Sequence, residues 1–274
     1  MTTNPNIVRT NRNMKKTTLV LLAFLFIGNA TGIIAQTELR TLKQHAFRRG
    51  EFLKFRIHYG FIDAGEATLE VKPETEKFGP RNTFHIIGQG RTTGAFDWFF
   101  KVRDRYETFI DEDACQPWLF IRRVKEGGFT LNENYSFNPY QNTATSDKGT
   151  YTVPEGVQDL VSAYYYARCL DFSSLKEGDI FPINVFIDNE VWSMNIKFEA
   201  REELETKLGT FKCLRFKPQV QEGRIFKEKE GMTLWITDDD NRIPVRLQAE
   251  ILVGSIKVDL SEYSGVINII SKTE

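Results

Sequence analysis

Apolar and polar residues alternate along most of the chain beyond residue 50, and this period of two favours β-strands. The apolar members of the clearest stretches are Leu53, Phe55, Ile57 and Tyr59; Ala67, Leu69 and Val71; Phe129, Leu131, Tyr135 and Phe137; Trp192, Met194, Ile196 and Phe198; and Ile243, Val245, Leu247, Ala249 and Ile251. Successive side chains of a strand point to opposite faces, so each stretch has one dry and one wet face. That pattern is typical of antiparallel sheets.

Turn-forming residues separate these stretches. They are Asp63–Gly65, Asp188-Asn189, Leu208-Gly209, Asp238–Asn241 and Gly254. Gly, Asn and Asp tolerate the positive φ values of tight hairpins. The sequence therefore predicts an all-β, mostly antiparallel fold, a curved meander that forms a barrel, a half-barrel or paired sheets.

One segment has the spacing of a helix instead. After Val157, apolar side chains recur at the third, fourth and seventh positions: Leu160, Val161 and Tyr164. Asp159 stands where a negative charge complements a helix dipole. We expect one short helix over residues 158–169 that crosses or caps the concave face of the sheet.

The N-terminal segment Met14–Ala35 has the composition of a secretory signal peptide. Lys15 and Lys16 precede the apolar run Leu19–Ile27, and small residues lead to Ala35. The alternative is a permanent anchor. We expect an extension and cleaved signal peptide at 1–35, a lead-in at 36–49 and a single β-rich domain at 50–274. No membrane span should remain after cleavage, and the location should be periplasmic or extracellular.

Charge restricts the partners of the exported chain. The sequence has 36 basic and 37 acidic residues, and residues 1–35 hold four of the basic ones and none of the acidic ones. Cleavage leaves a net charge of −5. A mildly acidic chain is a poor match for nucleic acid or for purely electrostatic binding to membranes.

No catalytic or metal-binding pattern is evident, so we expect a protein that is not an enzyme and has no cofactor. The three histidines are isolated, and no serine or cysteine lies in a nucleophile elbow. The acidic run Asp238–Asp240 is interpreted as a hairpin turn because it lacks the ligand spacing of a calcium loop. Cys115, Cys169 and Cys213 are odd in number; either all are buried thiols or two form a disulfide.

Six residues are candidates to line a ligand site: Trp98, Phe99, Phe100, Glu133, Tyr164 and Trp235. Three consecutive rings at 98–100 cannot all face one side of a strand, so some meet solvent, a loop or a ligand. The alternative is a loop or short helix that packs back on the sheet. Glu133 has the same parity as its apolar neighbours, and a carboxylate there can be functional. The alternatives are a sheet edge, a register shift at a bulge, a face that is not dry at this point, or a pairing with Arg122 or Arg123.

Several phrases together resemble an uncharacterised family of exported bacterial proteins, a domain of unknown function. They are Tyr59-Gly60, Ala64–Ala67, Val102–Thr108, Asp159–Arg168, Glu205–Cys213, Leu234-Trp235 and Asp239–Arg246. The resemblance implies no established activity and no catalytic residues. More distantly, the architecture is similar to periplasmic lipoprotein carriers, which implies a half-open barrel with helices over its mouth.

Three hypotheses follow for the function. The leading one is a periplasmic protein that binds an apolar or amphiphilic small molecule in a curved sheet. The second is a carbohydrate-binding or carbohydrate-active module that uses exposed aromatic rings and Glu133. The third is an assembly scaffold that pairs with an envelope protein through its strand edges. The interior distinguishes them: a hollow lined with apolar atoms favours the first.

Overall fold

Fifteen antiparallel strands and two short helices make up the described part of the chain. The computed structural model describes residues 38–218, 231–250 and 254–273. The strands are β1 Phe52–Tyr59, β2 Ile62–Val71, β3 Glu76–Phe78, β4 Arg81–Thr92, β5 Arg103–Asp111, β6 Pro117–Glu126, β7 Phe129–Asn138, β8 Thr143–Ser146, β9 Gly149–Thr152, β10 Ile180–Ile187, β11 Glu190–Thr206, β12 Gly209–Pro218, β13 Met232–Thr237, β14 Pro244–Glu250 and β15 Ser255–Ser264. The helices are α1 Gly94–Phe99 and α2 Leu160–Arg168.

A single sheet contains every strand, in the order β10-β11-β12-β13-β14-β15-β1-β2-β4-β5-β6-β7-β8-β9, with β3 attached to β4. Neighbours along this order are mostly consecutive in sequence, as a meander requires. Two exceptions occur: β2 pairs with β4 rather than β3, and β1 pairs with β2 on one side and with the C-terminal strand β15 on the other. The predicted all-β antiparallel fold is thus confirmed.

The sheet curls but its backbone ladder does not close. No hydrogen-bonded ladder joins β9 to β10 within the described ranges. Side chains span the interval instead: the Phe186 ring of β10 lies 5.5 Å from the Tyr151 ring of β9, between ring centroids. The Ser146 hydroxyl also donates to Asn189 Oδ1 at 2.6 Å. The result is an open barrel whose two edges are held together by side-chain packing.

Helix α2 lies inside the curl. Its N-cap Asp159 accepts a 2.6 Å hydrogen bond from the Thr108 hydroxyl of β5. Just before it, Gln158 forms a parallel bridge with β10: its N–H donates to Asn184 O at 2.9 Å, and its carbonyl accepts from Phe186 N at 2.8 Å. Strands β5 and β10 are far apart in the sheet order, so both can reach one helix only because the sheet wraps around it.

The helix prediction over 158–169 is confirmed, with the helical residues at Leu160–Arg168 and caps at Asp159 and Cys169. Asp159 and Ser162 form a capping box, which satisfies the first free N–H groups of the helix. The predicted signal peptide at residues 14–35 lies outside the described residues. Within the described ranges, no helix is both long and apolar enough to cross a bilayer.

A candidate ligand-binding cavity

The ends of helix α2 are fixed by buried polar contacts. At its N-terminus, the Asp159 carboxylate accepts from the N–H groups of Val161 and Ser162, each at 2.8 Å. At its C-terminus, the fully buried Arg168 guanidinium forms a two-pronged ion pair with Glu51, at 2.6 and 2.7 Å. These contacts hold the helix at a set position within the barrel.

Burial affects the acidity of the N-cap. Asp159 is inaccessible to solvent, and this desolvation raises its pKa to about 6. The hydroxyl of Thr108 and the N–H groups of Ser162 and Val161 donate to the carboxylate and act in the opposite direction. Helix capping therefore explains why this carboxylate is buried.

An apolar cavity of about 310 Å³ lies between α2 and the strands that face it. Its wall is formed by Phe55, Leu69, Leu160, Ala163, Tyr164, Ala167, Ile183, Met194, Ile196, Pro218, Met232, Leu234, Pro244, Leu247 and Val258. Tyr164 is the one wall residue whose side chain carries a polar group. Burial raises the pKa of its hydroxyl, and the charges of the nearby Arg168 and Glu51 also act on that pKa.

The cavity exists because one face of α2 carries small side chains. Leu160, Ala163, Tyr164 and Ala167 recur at helical spacing and all face the cavity. Ala163 and Ala167 pack against a core cluster of β10–β13, but their methyl groups leave part of the space between helix and sheet unfilled. On the other side of the helix, Val161 and Tyr165 are buried in a second core cluster. The barrel therefore has packed core on both sides of α2 and a cavity along the helix face that carries the two alanines.

The structure places one of the six predicted lining residues, Tyr164, in this wall. On β13 the lining residues are Met232 and Leu234 rather than Trp235. Trp235 points to the opposite face, where its indole N–H donates to Glu202 Oε1 at 2.6 Å and its ring packs against a core cluster that contains Cys213 and Val245. Both faces of β13 are covered, so the run Leu234–Ile236 is apolar throughout and its parity is ambiguous.

Glu133 lies outside the cavity in a network of donors. The Tyr135 hydroxyl donates to its Oε2 at 2.9 Å, and Arg122 Nη1 and Lys148 Nζ lie 3.4 and 3.9 Å from its oxygens. Its apolar parity is explained by the predicted pairing with Arg122. The pKa of Tyr135 is raised well above its usual value. Burial of the hydroxyl is the larger cause, and its hydrogen bond to Glu133 is the second.

The aromatic segment Trp98, Phe99 and Phe100 is also remote from the cavity. Trp98 and Phe99 belong to α1 and are 82% and 76% exposed, and Phe100 directly follows them with about half of its surface exposed. The segment is a short helix, but it does not pack these rings back on the sheet. The rings therefore need an explanation separate from the cavity.

Leu160, Ala163 and Ala167 are site residues that the sequence interpretation did not identify. The signal was available, since they continue the helical spacing of Tyr164. No group of three or more His, Cys, Asp or Glu side chains suited to a metal ion occurs in the described ranges. The cavity has no candidate nucleophile or acid–base pair among its wall residues.

Several solved structures are similar to this one at low sequence identity. A β-barrel-like protein of the DUF1849 domain of unknown function from Brucella abortus has a TM-score of 0.54 and 9% identity, over 83% of this chain and 99% of that one. A candidate lipoprotein from Parabacteroides distasonis gives 0.37 and 12%, over 83% and 100%. A candidate exported protein with a YmcC-like fold from Bacteroides fragilis gives 0.36 and 9%, over 82% and 99%.

The Brucella protein supports the barrel-like architecture and nothing finer, because identity at this level shows the fold alone. No curated protein matches the sequence. A family model described as a protein of unknown function, DUF3108, matches residues 54–261. This range covers the sheet from β1 to β15 and includes helix α2. The predicted resemblance to an uncharacterised family is confirmed: the chain belongs to the DUF3108 family.

Proposed function

We propose that this protein is an exported, non-enzymatic binding protein whose cavity holds an apolar or amphiphilic small molecule. The observation that carries the proposal is the apolar cavity of about 310 Å³ between α2 and the sheet. Pockets for small ligands start at about this size and are mostly apolar. Each CH₂ group buried there contributes roughly 0.8 kcal/mol, so an acyl chain that enters the cavity with part of its length would bind usefully.

The chemistry of the wall favours a ligand with a substantial apolar part. Tyr164 is the one wall residue with a polar side-chain atom, and the other fourteen are apolar. Burial of apolar ligand atoms against such a wall is favourable. Export is supported by the predicted signal peptide at residues 14–35, which precedes the barrel.

Displacement of a fluorescent fatty acid tests this proposal. The variant Ala167→Phe would fill the cavity from the helix side, and we expect it to weaken binding of cis-parinaric acid about tenfold or more. Ser174→Phe adds the same ring at an exposed loop position and should leave the affinity unchanged. Equal affinity of the wild type and Ala167→Phe would contradict the assignment of the cavity as the binding site.

Native mass spectrometry of protein recovered from its own host provides a second measurement. A co-purifying amphiphile that is reduced or lost in Ala167→Phe would support the proposal. A clean apo mass, together with no parinaric acid binding by the wild type, would reject it.

A further inference from the structure

Exposed apolar side chains are concentrated at one end of the sheet. They lie in the β1–β2 turn, in and beside α1, and at the β6–β7 turn: Phe61, Ile62, Trp98, Phe99, Phe100 and Phe129. We call these six residues the tip surface. Each is at least half exposed, and Phe61 is fully exposed. Soluble proteins rarely present so many large apolar groups together unless the surface binds something.

Backbone contacts bring the three connections together. Thr93 N donates to Ala64 O at 3.0 Å, which joins the start of α1 to strand β2. Gly127 N donates to Lys101 O at 3.0 Å, which joins the β6–β7 turn to the segment after α1. The Phe100 ring lies over Gly127, where a Cβ atom would collide with it. The tip surface is therefore a single, locally supported patch.

A cationic groove of about 640 Å³ begins directly beside the tip surface. Its cations are Arg91, Arg103, Arg105, Arg123 and Lys125, against two carboxylates, Glu66 and Asp104. Thr108, whose hydroxyl contacts the N-cap Asp159 of α2, has even parity on β5, whereas Arg103 and Arg105 have odd parity. The groove therefore lies on the outer face of β2, β4, β5, β6 and β7, opposite to the helix.

The register of the strands places like charges directly opposite one another. Arg91 of β4 pairs with Arg103 of β5, and Arg105 of β5 pairs with Arg123 of β6. Like charges in such positions destabilise a sheet unless an anion lies between them. In a chain whose overall charge is slightly negative, two such pairs in one groove indicate an anionic ligand.

Some side-chain donors of the groove are already used within the protein, and others remain available. Arg91 pairs with Glu66, and Arg103 uses both terminal nitrogens on Asp97 at 2.6 and 3.0 Å. Arg105 uses only Nε, on Glu107 at 2.7 Å.

The Arg123 Nη1 donates to two main-chain carbonyls, those of Arg122 and Glu133. Neither Arg123 nor Lys125 has an ion pair with a carboxylate in the described ranges. Arg105, Arg123 and Lys125 can therefore bind the oxygens of a phosphate group, for which guanidinium forks are well suited.

We propose that the tip surface docks on a lipid bilayer that carries anionic phosphate headgroups. Trp98, Phe99 and Phe61 enter the boundary between headgroups and acyl chains, which aromatic rings prefer. Arg105, Arg123 and Lys125 bind headgroup phosphates beside them. The contact combines apolar insertion with local positive charge, so it does not require a basic protein. It is independent of the cavity under α2.

Flotation with lipid vesicles tests the docking surface. The protein is recovered after export from its host, and its N-terminus is checked by intact mass so that the apolar run Leu19–Ile27 is absent. We expect it to float with vesicles of phosphatidylglycerol and phosphatidylcholine and much less with phosphatidylcholine alone. Trp98→Ser with Phe99→Ser, and separately Arg105→Gln with Arg123→Gln, should each lower the partition coefficient about tenfold or more.

Matched controls lie at the opposite end of the barrel. Ile269→Ser removes an exposed apolar side chain there, and Lys77→Gln with Lys212→Gln removes two exposed cations. Both should leave flotation unchanged. If the arginine variant folds poorly, Lys125→Gln alone changes only an exposed side chain and should lower binding severalfold.

The proposal is overturned if the wild type does not float with anionic vesicles, or if tip and control variants lose binding equally. It is also overturned if light scattering shows that the tip surface joins two copies of the chain and the vesicles do not compete. Inorganic pyrophosphate is added as a free anion in a separate arm. Pyrophosphate that binds as tightly as the vesicles, with no effect of Trp98→Ser and Phe99→Ser, would reject a bilayer as the partner.

Discussion

Arg168 and Glu51 form an ion pair from which solvent is completely excluded, with two hydrogen bonds of 2.6 and 2.7 Å. The pair joins the last turn of α2 to the residue before β1. The guanidinium also donates to the carbonyl oxygens of Asn241 and Ala46, both at 2.8 Å. Arg168 thus connects the helix with three separate segments of the chain.

Neutralising one partner of this pair should be costly. Glu51→Gln leaves the buried guanidinium without a counter-charge, and we expect a loss of about 3–5 kcal/mol in the free energy of unfolding. The exposed pair Arg201–Asp238 is the control, because Asp238→Asn should change stability by less than about 1 kcal/mol. Urea unfolding measures both. Losses of equal size would show that the buried pair does not fix the helix.

The buried N-cap predicts a specific dependence of stability on pH. Because the pKa of Asp159 is raised to about 6 from its usual 3.8, the folded protein retains a proton that the unfolded chain has released. This contribution to stability is complete below about pH 4 and is lost as the pH rises through about 6. Asn caps helices well and carries no charge.

Relative to the wild type, Asp159→Asn should therefore gain stability by up to about 3 kcal/mol between pH 4 and pH 7. Urea unfolding of both proteins across this range measures the difference. Parallel stability curves would mean that Asp159 titrates normally in the folded protein.

Two of the three cysteines are positioned to form a disulfide. The Sγ atoms of Cys115 and Cys169 lie 3.6 Å apart, and the residues are separated by 54 positions. A hydrogen bond from Cys115 holds the pKa of Cys169 below its ordinary value, so Cys169 is the more nucleophilic thiol. Oxidised glutathione should accept two electrons and two protons from the pair.

Alkylation under denaturing conditions should then label one thiol after oxidation and three after reduction. The bond should stabilise the fold by about 4 kcal/mol, because it closes a long loop. Cys213 lies in another core cluster and serves as the internal control. Three labelled thiols after oxidation would contradict this pairing.

A close approach between β2 and β4 makes Gly65 sensitive to substitution. An added Cβ would collide with the carbonyl oxygen of Arg91, a backbone atom that cannot move alone. We expect Gly65→Ala to cost about 1–3 kcal/mol of stability. Gly90→Ala is the matched control, since no atom lies within 4 Å of the added Cβ. Thermal unfolding that is the same for both variants would contradict this explanation.

Local patterns predicted the elements well. Alternation identified strands because most strands of this sheet have one covered face, and helical spacing identified α2 to within two residues. The fold class could be predicted without knowing which distant residues are in contact. Which face of β13 lines the cavity could not be predicted, because Leu234 and Trp235 lie on opposite faces and both are covered.

The site was harder to predict because it depends on how distant strands meet. The cavity wall combines β1, β2, α2 and β10–β15, which only the curl of the sheet brings together. The pairing of Arg168 with Glu51 spans 117 positions and has no local signal. The prominent rings at 98–100 drew attention to a surface site, whereas the cavity depends on two alanines that are individually unremarkable.

The position of β1 has a consequence for how the chain reaches its final form. This strand is synthesised early, yet one of its edges pairs with β15, and Ser261 reaches Lys54 across 207 positions. Its second neighbour is synthesised only about 200 positions later. Contacts of such long range are slow to form, and meanwhile an apolar strand edge stays open. We therefore expect chaperones that bind extended apolar segments to stay bound to newly synthesised β1 for a long time.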